Sequence, residues 1–272
     1  MSKIKVTAVF DIGKTNKKFF LFDKHYQEVM REYTRLPLTV DEDGHETEDI
    51  ALLEAWVKAT FHAVLENEKY EVKALNFSTY GASLVHLDHE GNVLTPLYNY
   101  TKPIDTTITD AFYEQYGDSL KIATETASPQ AGMLNAGLQL FWLKKRYPDT
   151  FKKIKYSLHL PQYLSFLFTG IAVSEYTSIG CHTNLWDYDK EDYHDWVYAE
   201  GVDRILGPIV PTASSINTTY LGVKIKIGVG IHDSSSALLP YILSKKKPFL
   251  LLSTGTWSIS LNAFNAQSLS RE

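Results

Sequence analysis

Three short polar loops, each set against an apolar run, constrain this chain more than any other feature. Asp11-Ile12-Gly13-Lys14-Thr15-Asn16 separates apolar residues 6–10 from residues 19–22. Gly230-Ile231-His232-Asp233-Ser234-Ser235-Ser236 follows an apolar run at 225–229, and Ser253-Thr254-Gly255-Thr256-Trp257 follows another at 249–252. Short apolar runs bounded by turn residues predict strands, and the loops beside them are where ligand-facing side chains concentrate. The small residues after Asp233 predict a helix start, whose N-terminus favours negative charge. From position alone, Asp233 serves equally as that helix's cap or as a general base facing a cleft.

The remaining pattern is mixed. Residues 28–35 predict a third strand, so the chain opens as a meander. Ile50, Leu53, Val57, Phe61 and Val64/Leu65 share one face of a helix predicted over 47–65, capped by Thr47 or Glu48-Asp49. Residues 73–77 and 84–87 return to strand, and Asp88-His89-Glu90-Gly91-Asn92 forms a turn. Helices are predicted at 138–147, stopped by Pro148, and at 161–168, stopped by Gly170. Residues 187–197 read as a surface turn entering a helix. Strand 224–229, helix 234–243 and strands 249–252 and 257–262 complete the chain, with Pro240 expected to kink or shorten its helix. A meander followed by alternating helices and strands is an α/β protein with a mixed sheet. Residues 11–18 lack both Gly-x-x-x-x-Gly-Lys-Ser/Thr and Gly-x-Gly-x-x-Gly, which argues against P-loop and dinucleotide-binding readings.

At 272 residues and 44% hydrophobic, the chain can bury one large domain or a domain and a half. A net charge of -5, with Lys245-Lys246-Lys247 as the longest basic run, argues against a nucleic-acid partner. The single cysteine, Cys181, excludes an internal disulfide and a cysteine-rich zinc site and suits a reducing cytoplasm. Residues 1–5 lead into a strand and not a signal sequence, and no apolar run has the length to span a bilayer. The expectation is a cytoplasmic protein with no membrane partner. The scattered histidines lack metal-ligand spacing, and Tyr193, Trp196 and Tyr198 read as packing.

Together the three loops resemble those of the FGGY carbohydrate kinases, of the actin/Hsp70-like ATPase superfamily. Asp11 to Lys18 is similar to the family's first phosphate loop, residues 253–258 to its second, and Gly230-Ile231-His232-Asp233 to the segment holding the catalytic aspartate. Leu160-Pro161-Gln162-Tyr163-Leu164-Ser165-Phe166-Leu167-Phe168-Thr169-Gly170 followed by Ser174-Glu175-Tyr176-Thr177, and Tyr80-Gly81 followed by His86-Leu87-Asp88, resemble the branch acting on rhamnulose and fuculose. The resemblance implies an α/β, ribonuclease H-like domain with a mixed central sheet flanked by helices. It implies a sugar-binding domain over 1–246 and, over 247–272, the start of a C-terminal nucleotide-binding domain. The chain is thus expected to be an N-terminal fragment that stops before most of the adenine pocket.

The implied chemistry is transfer of the γ-phosphoryl group of Mg·ATP to a ketose hydroxyl, with ATP and Mg²⁺ as cofactors. The implied sugar is a 6-deoxy-ketohexose such as L-rhamnulose or L-fuculose. Alternatives are a kinase for xylulose, gluconate or glycerol, or a non-catalytic sugar-binding protein. The resemblance also admits a homodimer. It carries Asp233 as base; Tyr80, Gly81, Ser83, His232, Asp233 and Ser234 toward the sugar; Gly13, Lys14, Thr15, Asn16, Lys17, Lys18, Thr254, Gly255 and Thr256 toward the nucleotide; and Asp11 toward Mg²⁺. The residues alone leave other roles open: Asp11 as a turn aspartate, Tyr80 as a core aromatic, residues 253–257 as an ordinary hairpin. Two departures fall in the expected sugar pocket. Tyr98-Asn99-Tyr100-Thr101-Lys102 stands where many members carry a Trp-x-Asp-x-Arg-like segment, and Ser83 stands where rhamnulokinases often carry an acidic residue.

Overall fold

The computed structural model describes residues 3–244, 247–254, 258–265, 267, 269 and 270. Strand β1 (Ile4–Ile12) buries Val6, Ala8, Phe10 and Ile12, every second residue, as a pleated strand with one face on a core requires. It pairs antiparallel with β2 (Lys17–Asp23), and β2 with β3 (Glu28–Thr34), forming the expected meander. A small hairpin, β4 (Leu38–Val40) and β5 (Glu46–Glu48), precedes helix α1 (Ile50–Glu66). Asp49 caps α1, accepting from the amides of Ala51 and Leu52, and Leu53, Val57, Phe61 and Val64 form its buried stripe. Thr47 and Glu48, expected at the helix start, belong to β5. The Thr47 hydroxyl donates to the Leu97 carbonyl and Glu48 pairs with Lys17, both inside the protein, while Asp49 already supplies the cap.

Strand β6 (Tyr70–Thr79) lies parallel to β1, and β7 (Leu84–Leu87) leads into the predicted turn, where the Asp88 carboxylate accepts from the amides of Glu90 and Asn92. A helical region follows: α2 (Thr106–Tyr116), α3 (Ser119–Thr126), α4 (Ala136–Arg146) and α5 (Pro148–Phe151). Pro148 both ends the preceding pattern and starts α5. Strand β8 (Tyr156–His159) pairs with β7, and α6 (Leu160–Thr169) closes on Gly170 at φ 67°, a left-handed cap suited to glycine. Short elements β9 (Ser174–Glu175), α7 (Tyr176–Ile179), β10 (Trp186–Asp187), β11 (Asp192–Tyr193), α8 (Asp195–Ala199) and β12 (Ile209–Val210) return the chain to the sheet. There it forms β13 (Ser215–Tyr220), β14 (Val223–Gly228), β15 (Ile231–His232) and α9 (Asp233–Ser244). A hairpin of β16 (Leu251–Thr254) and β17 (Ser258–Leu261) pairs apart from the main sheet.

The main sheet runs β13-β14-β6-β1-β2-β3, with β15 continuing the β14 side of β6. Pairs β1·β6, β14·β6 and β15·β6 are parallel and the others antiparallel, so the sheet is mixed as expected. One core joins this sheet to α1 and α6 through Phe10, Phe61, Phe77 and Phe168. A second gathers the helical region around Phe112, Phe141, Trp142 and Trp196. Trp196 is fully buried and its indole N–H donates to the Asn184 carbonyl at 2.7 Å, so its role is packing, while Tyr198 is largely exposed. Helix α9 does not end at Pro240. Proline removes one bond to the Ser236 carbonyl, and no side chain of α9 is buried, so water can reach that group. Among the described residues no helix is long and apolar enough to cross a membrane.

The β7–β8 pair buries His86, whose Nδ1 lies 2.8 Å from Ser157 Oγ. Burial pushes its pKa down from 6.5 to about 4, so the folded state holds it neutral. Between those values the unfolded chain binds the proton and the folded chain does not. The resulting stability is therefore full above pH 6.5 and falls as the pH drops toward 4. Urea unfolding at pH 7 and 4.5 should show this loss, and His86→Gln should shrink the difference by about 2–3 kcal/mol. An unchanged difference means that His86 titrates normally.

Candidate active site

The site is assembled by β6, which both arms share. Asp11 of β1 and Ile231 of β15 align with the same residue, Ser78, from opposite sides. With strands roughly 4.8 Å apart, Asp11 and the β15–α9 junction stand about 10 Å from each other across β6. Both sit at the carboxyl ends of parallel strands, the usual ligand-binding edge of an α/β sheet. Asp233 is the first residue of α9, and its side chain is 38% exposed. Ser234 Oγ donates to its Oδ1 at 3.2 Å, and His232 Nε2 lies 3.6 Å from that oxygen.

The turn that delivers Asp233 is locked from outside. Gly230 has φ +84°, and a Cβ there would lie 2.5 Å from the Pro161 carbonyl oxygen. Its N–H donates to Asn76 Oδ1 at 3.1 Å, and Gln162 Nε2 donates to the carbonyls of Val229 and Gly230 at 3.2 and 3.3 Å. The Leu160 amide donates to the Ser83 carbonyl at 3.1 Å. Thr177 Oγ1 accepts the His232 N–H at 3.0 Å and donates to the buried Glu175 carboxylate. The segments at 160–162 and 174–177 therefore hold the aspartate turn and the Gly81–Ser83 loop in place. Gly230→Ala combines left-handed strain with a backbone overlap and should lower unfolding free energy by at least about 2 kcal/mol in urea melts. A change below half that value means the turn relaxes freely.

Gly81 packs on the His232 ring. A Cβ on Gly81 would lie 2.5 Å from His232 Nε2, so close approach and not a special φ requires glycine. His232 is buried, and burial lowers its pKa against the opposing charge of Asp233. Tyr80 and Ser83, expected toward the sugar, are both buried. Tyr80 is 6% exposed, with its hydroxyl donating to Glu48 Oε2 at 2.6 Å; Ser83 is 2% exposed. Tyr80 thus takes the core-aromatic alternative, with burial and Glu48 raising its pKa far above normal. Tyr98 and Lys102 are likewise drawn away from any pocket. Lys102 Nζ donates to Asp41 at 2.7 Å and Asp43 at 2.8 Å and lies over the Tyr98 and Trp142 rings. Burial opposes its charge, but those carboxylates hold its pKa above normal.

At the other arm, Gly13 N–H donates to the Asn16 carbonyl at 3.0 Å and closes the β1–β2 turn, with Thr15 and Asn16 exposed at its tip. Lys14 lies over the Tyr80 and Tyr100 rings, at 5.0 and 5.2 Å from their centroids, and burial lowers its pKa. Lys17, expected toward the nucleotide, is turned inward. All three of its donors are engaged, by the carbonyls of Gly13 and Lys14 and by Glu48, and the Lys17 and Glu48 side chains are each 4% exposed. Lys18 pairs with Asp11 Oδ2 at 2.9 Å. Asp11 is accordingly a strand residue opposite Lys18, with its other oxygen outside that pair. Thr254 is exposed on the separate β16–β17 hairpin; Gly255, Thr256 and Trp257 lie outside the described residues.

Glu48 is the residue that sequence reasoning missed. It links the β1–β2 turn, through Lys17, to the Gly81 loop, through Tyr80. Nothing local distinguishes it from Asp49, since both read as acidic residues at a helix start. Glu48→Leu strands the buried Lys17 charge and should cost about 3–5 kcal/mol of stability in urea unfolding. A loss under about 1 kcal/mol would contradict a buried pair, since that is the scale of exposed pairs.

The N-terminal domain of the FGGY family of carbohydrate kinases matches residues 6–238. The chain belongs to this family. It is 27% identical over 260 residues to a rhamnulokinase of Halalkalibacterium halodurans, covering 91% of this chain and 52% of that protein. It is 23% identical over 270 residues to L-fuculokinase of Escherichia coli K12, covering 94% and 56%. This FGGY chain thus spans about half the length of the curated relatives it matches. A crystal structure of a carbohydrate kinase from Novosphingobium aromaticivorans superposes with a TM-score of 0.85 at 27% identity, covering 96% of this chain and 56% of that one. Xylulose kinase from Rhodospirillum rubrum superposes at 0.80 and 19% identity, covering 98% and 57%, a likeness of fold alone. The fold is the actin/Hsp70-like α/β architecture of the family.

Proposed function

We propose that this chain is the sugar-binding domain, over residues 1–246, of an ATP-dependent kinase that phosphorylates a ketose. The observation that carries the reading is the register at Ser78, which sets Asp233 across β6 from Asp11 at one edge of the sheet. Asp233 is placed to accept the proton of a sugar hydroxyl. Its partly exposed carboxylate reaches solvent, with Ser234 and the buried His232 both beside Oδ1. Gly81 lets the backbone approach the sugar near His232. Thr15, Asn16 and Lys18, together with Lys14, offer polar and cationic contacts to phosphates at the β1–β2 turn.

Mg²⁺ prefers oxygen ligands and keeps several waters. The Asp11 oxygen outside the Lys18 pair fits one such ligand, direct or through water. Mg·ATP would supply the phosphoryl group, and phosphoryl transfer depends mainly on positioning and charge stabilisation. The relatives named rhamnulokinase and L-fuculokinase support a 6-deoxy-ketohexose such as L-rhamnulose or L-fuculose as the acceptor. Residues 247–272 would then begin the nucleotide domain.

Titration calorimetry with L-rhamnulose, L-fuculose, D-xylulose and ATP, paired with ADP release, tests the reading. One ketose should bind this chain, and in the full-length protein Asp233→Asn should keep that binding while lowering turnover about 10²- to 10⁴-fold. No ketose binding, or turnover retained in the variant, overturns it.

A further inference from the structure

The strands that meet at Ser78 also build a polar row on one face of the sheet. Lys18 stands in register with Asp11, Asp11 with Ser78, and Ser78 with Ile231, across four adjacent strands. Residues aligned in this way project to the same side of the sheet. Val9 and Asn76 lie two residues before Asp11 and Ser78 on their strands and share that side. Helix α9 faces it across a cavity of ≈ 440 Å³, whose walls include Val9, Asn76, Ser78 and Ile231 from the sheet and Ser236 and Leu239 from the helix. Ser236 and Leu239 follow Asp233 at steps of three, so all three run along one face of α9.

Polar groups on these walls lack partners among the described residues. Ser78 is 9% exposed, and its hydroxyl makes no hydrogen bond to any of them. A hydroxyl buried to that degree is normally bonded. Asn76 Oδ1 accepts the N–H groups of Phe77 at 2.9 Å and Gly230 at 3.1 Å, which leaves its NH₂ group as the unbonded end. Ser236 adds a hydroxyl one turn below Asp233. Among the described residues no carboxylate lines the cavity, and Val9, Ile231 and Leu239 make it otherwise apolar. Donors without acceptors, beside the first turns of a 12-residue helix, match an oxyanion.

We propose that the cleft between α9 and β6 is an oxyanion subsite, in which Ser78, Ser236 and the Asn76 amide donate to the oxygens of a phosphate group. Only in naming that phosphate as the one a kinase transfers does this rest on the kinase reading. In that setting Ser78 stands level with Asp11, between the residue fitted to Mg²⁺ and the turn that carries Asp233. It would hold phosphoryl oxygens at the height of the base, while the Lys18 ammonium offsets the Asp11 charge that opposes them. Neutral donors suit this place. A cation there would pair with Asp233 and weaken it as a proton acceptor.

Amide NMR spectra of the 272-residue chain, titrated with inorganic phosphate in the presence of MgCl₂ at constant ionic strength, test the subsite, with thermal melts as the check on folding. Saturable shifts should appear at residues 76–79 and 233–237. Ser78→Ala and Ser236→Ala should each weaken phosphate binding at least about tenfold, the loss of one hydrogen bond to a charged group, while Ser78→Thr, which keeps the hydroxyl, stays within about threefold. Shifts confined to the turn at 13–18, no saturable binding, or a folded Ser78→Ala chain with wild-type affinity each overturns the proposal. Should Ser78→Ala misfold, Ser236→Ala decides, because no side chain of α9 is buried. The same samples titrated with L-rhamnulose, L-fuculose and D-xylulose keep the two readings apart. Phosphate held through Ser78 without any ketose binding sinks the ketose reading and leaves the subsite. Ketose binding with phosphate indifferent to Ser78 and Ser236 removes only the subsite.

Discussion

The parallel pairing of β6 on both of its edges is the constraint from which the site follows. Only a strand with β1 on one side and β14–β15 on the other can bring residues 11 and 233, more than 200 positions apart, to one level of the sheet. Parallel neighbours need crossover connections, and here the second crossover contains the whole helical region. That region is therefore built into the path between the two halves of the site. It carries its own aromatic core and hands back the loop at 181–184 beside His232.

Buried charge does the rest of the positioning. Glu48 receives Lys17 and Tyr80, so the turn at 13–16 and the loop at 80–83 lean on one carboxylate. Lys102, set between Asp41 and Asp43, ties the segment at 98–102 to the second core in the same way. Removing one partner of such a pair is far more costly than removing an exposed one, because the remaining charge stays out of water. Glycine acts where backbone must approach backbone or a ring: Gly230 against Pro161, Gly81 against His232.

Much of this was legible in the residues. Period-two burial in β1, the stripe of α1, the stop at Pro148 and the left-handed Gly170 all follow from local patterns, and each lies where those patterns indicate. The placement of Asp233 at a strand-to-helix junction was equally visible. Side-chain direction was not. Lys17 and Lys18 are neighbours in a polar loop, yet alternation along β2 sends Lys17 inward to Glu48 and Lys18 to Asp11. Tyr80 and Ser83 read as site residues because of where they fall in the chain, but their burial depends on what packs over them. Helix α9 is a similar case: of the kink or early end expected at Pro240, the early end does not occur, because an exposed helix does not need it.

By itself the sequence determined the class of fold and the strand-end loops, because periodicity and turn chemistry act over a few residues, and the loops' resemblance pointed to the family. Only the tertiary structure decided which polar residues face the site. Inside and outside differ by one residue along a strand, and the partner that makes a buried charge tolerable comes from elsewhere in the chain. Glu48, Gln162 and Thr177 are silent in sequence for that reason, and each acquires its place only when β6 brings its two neighbours together.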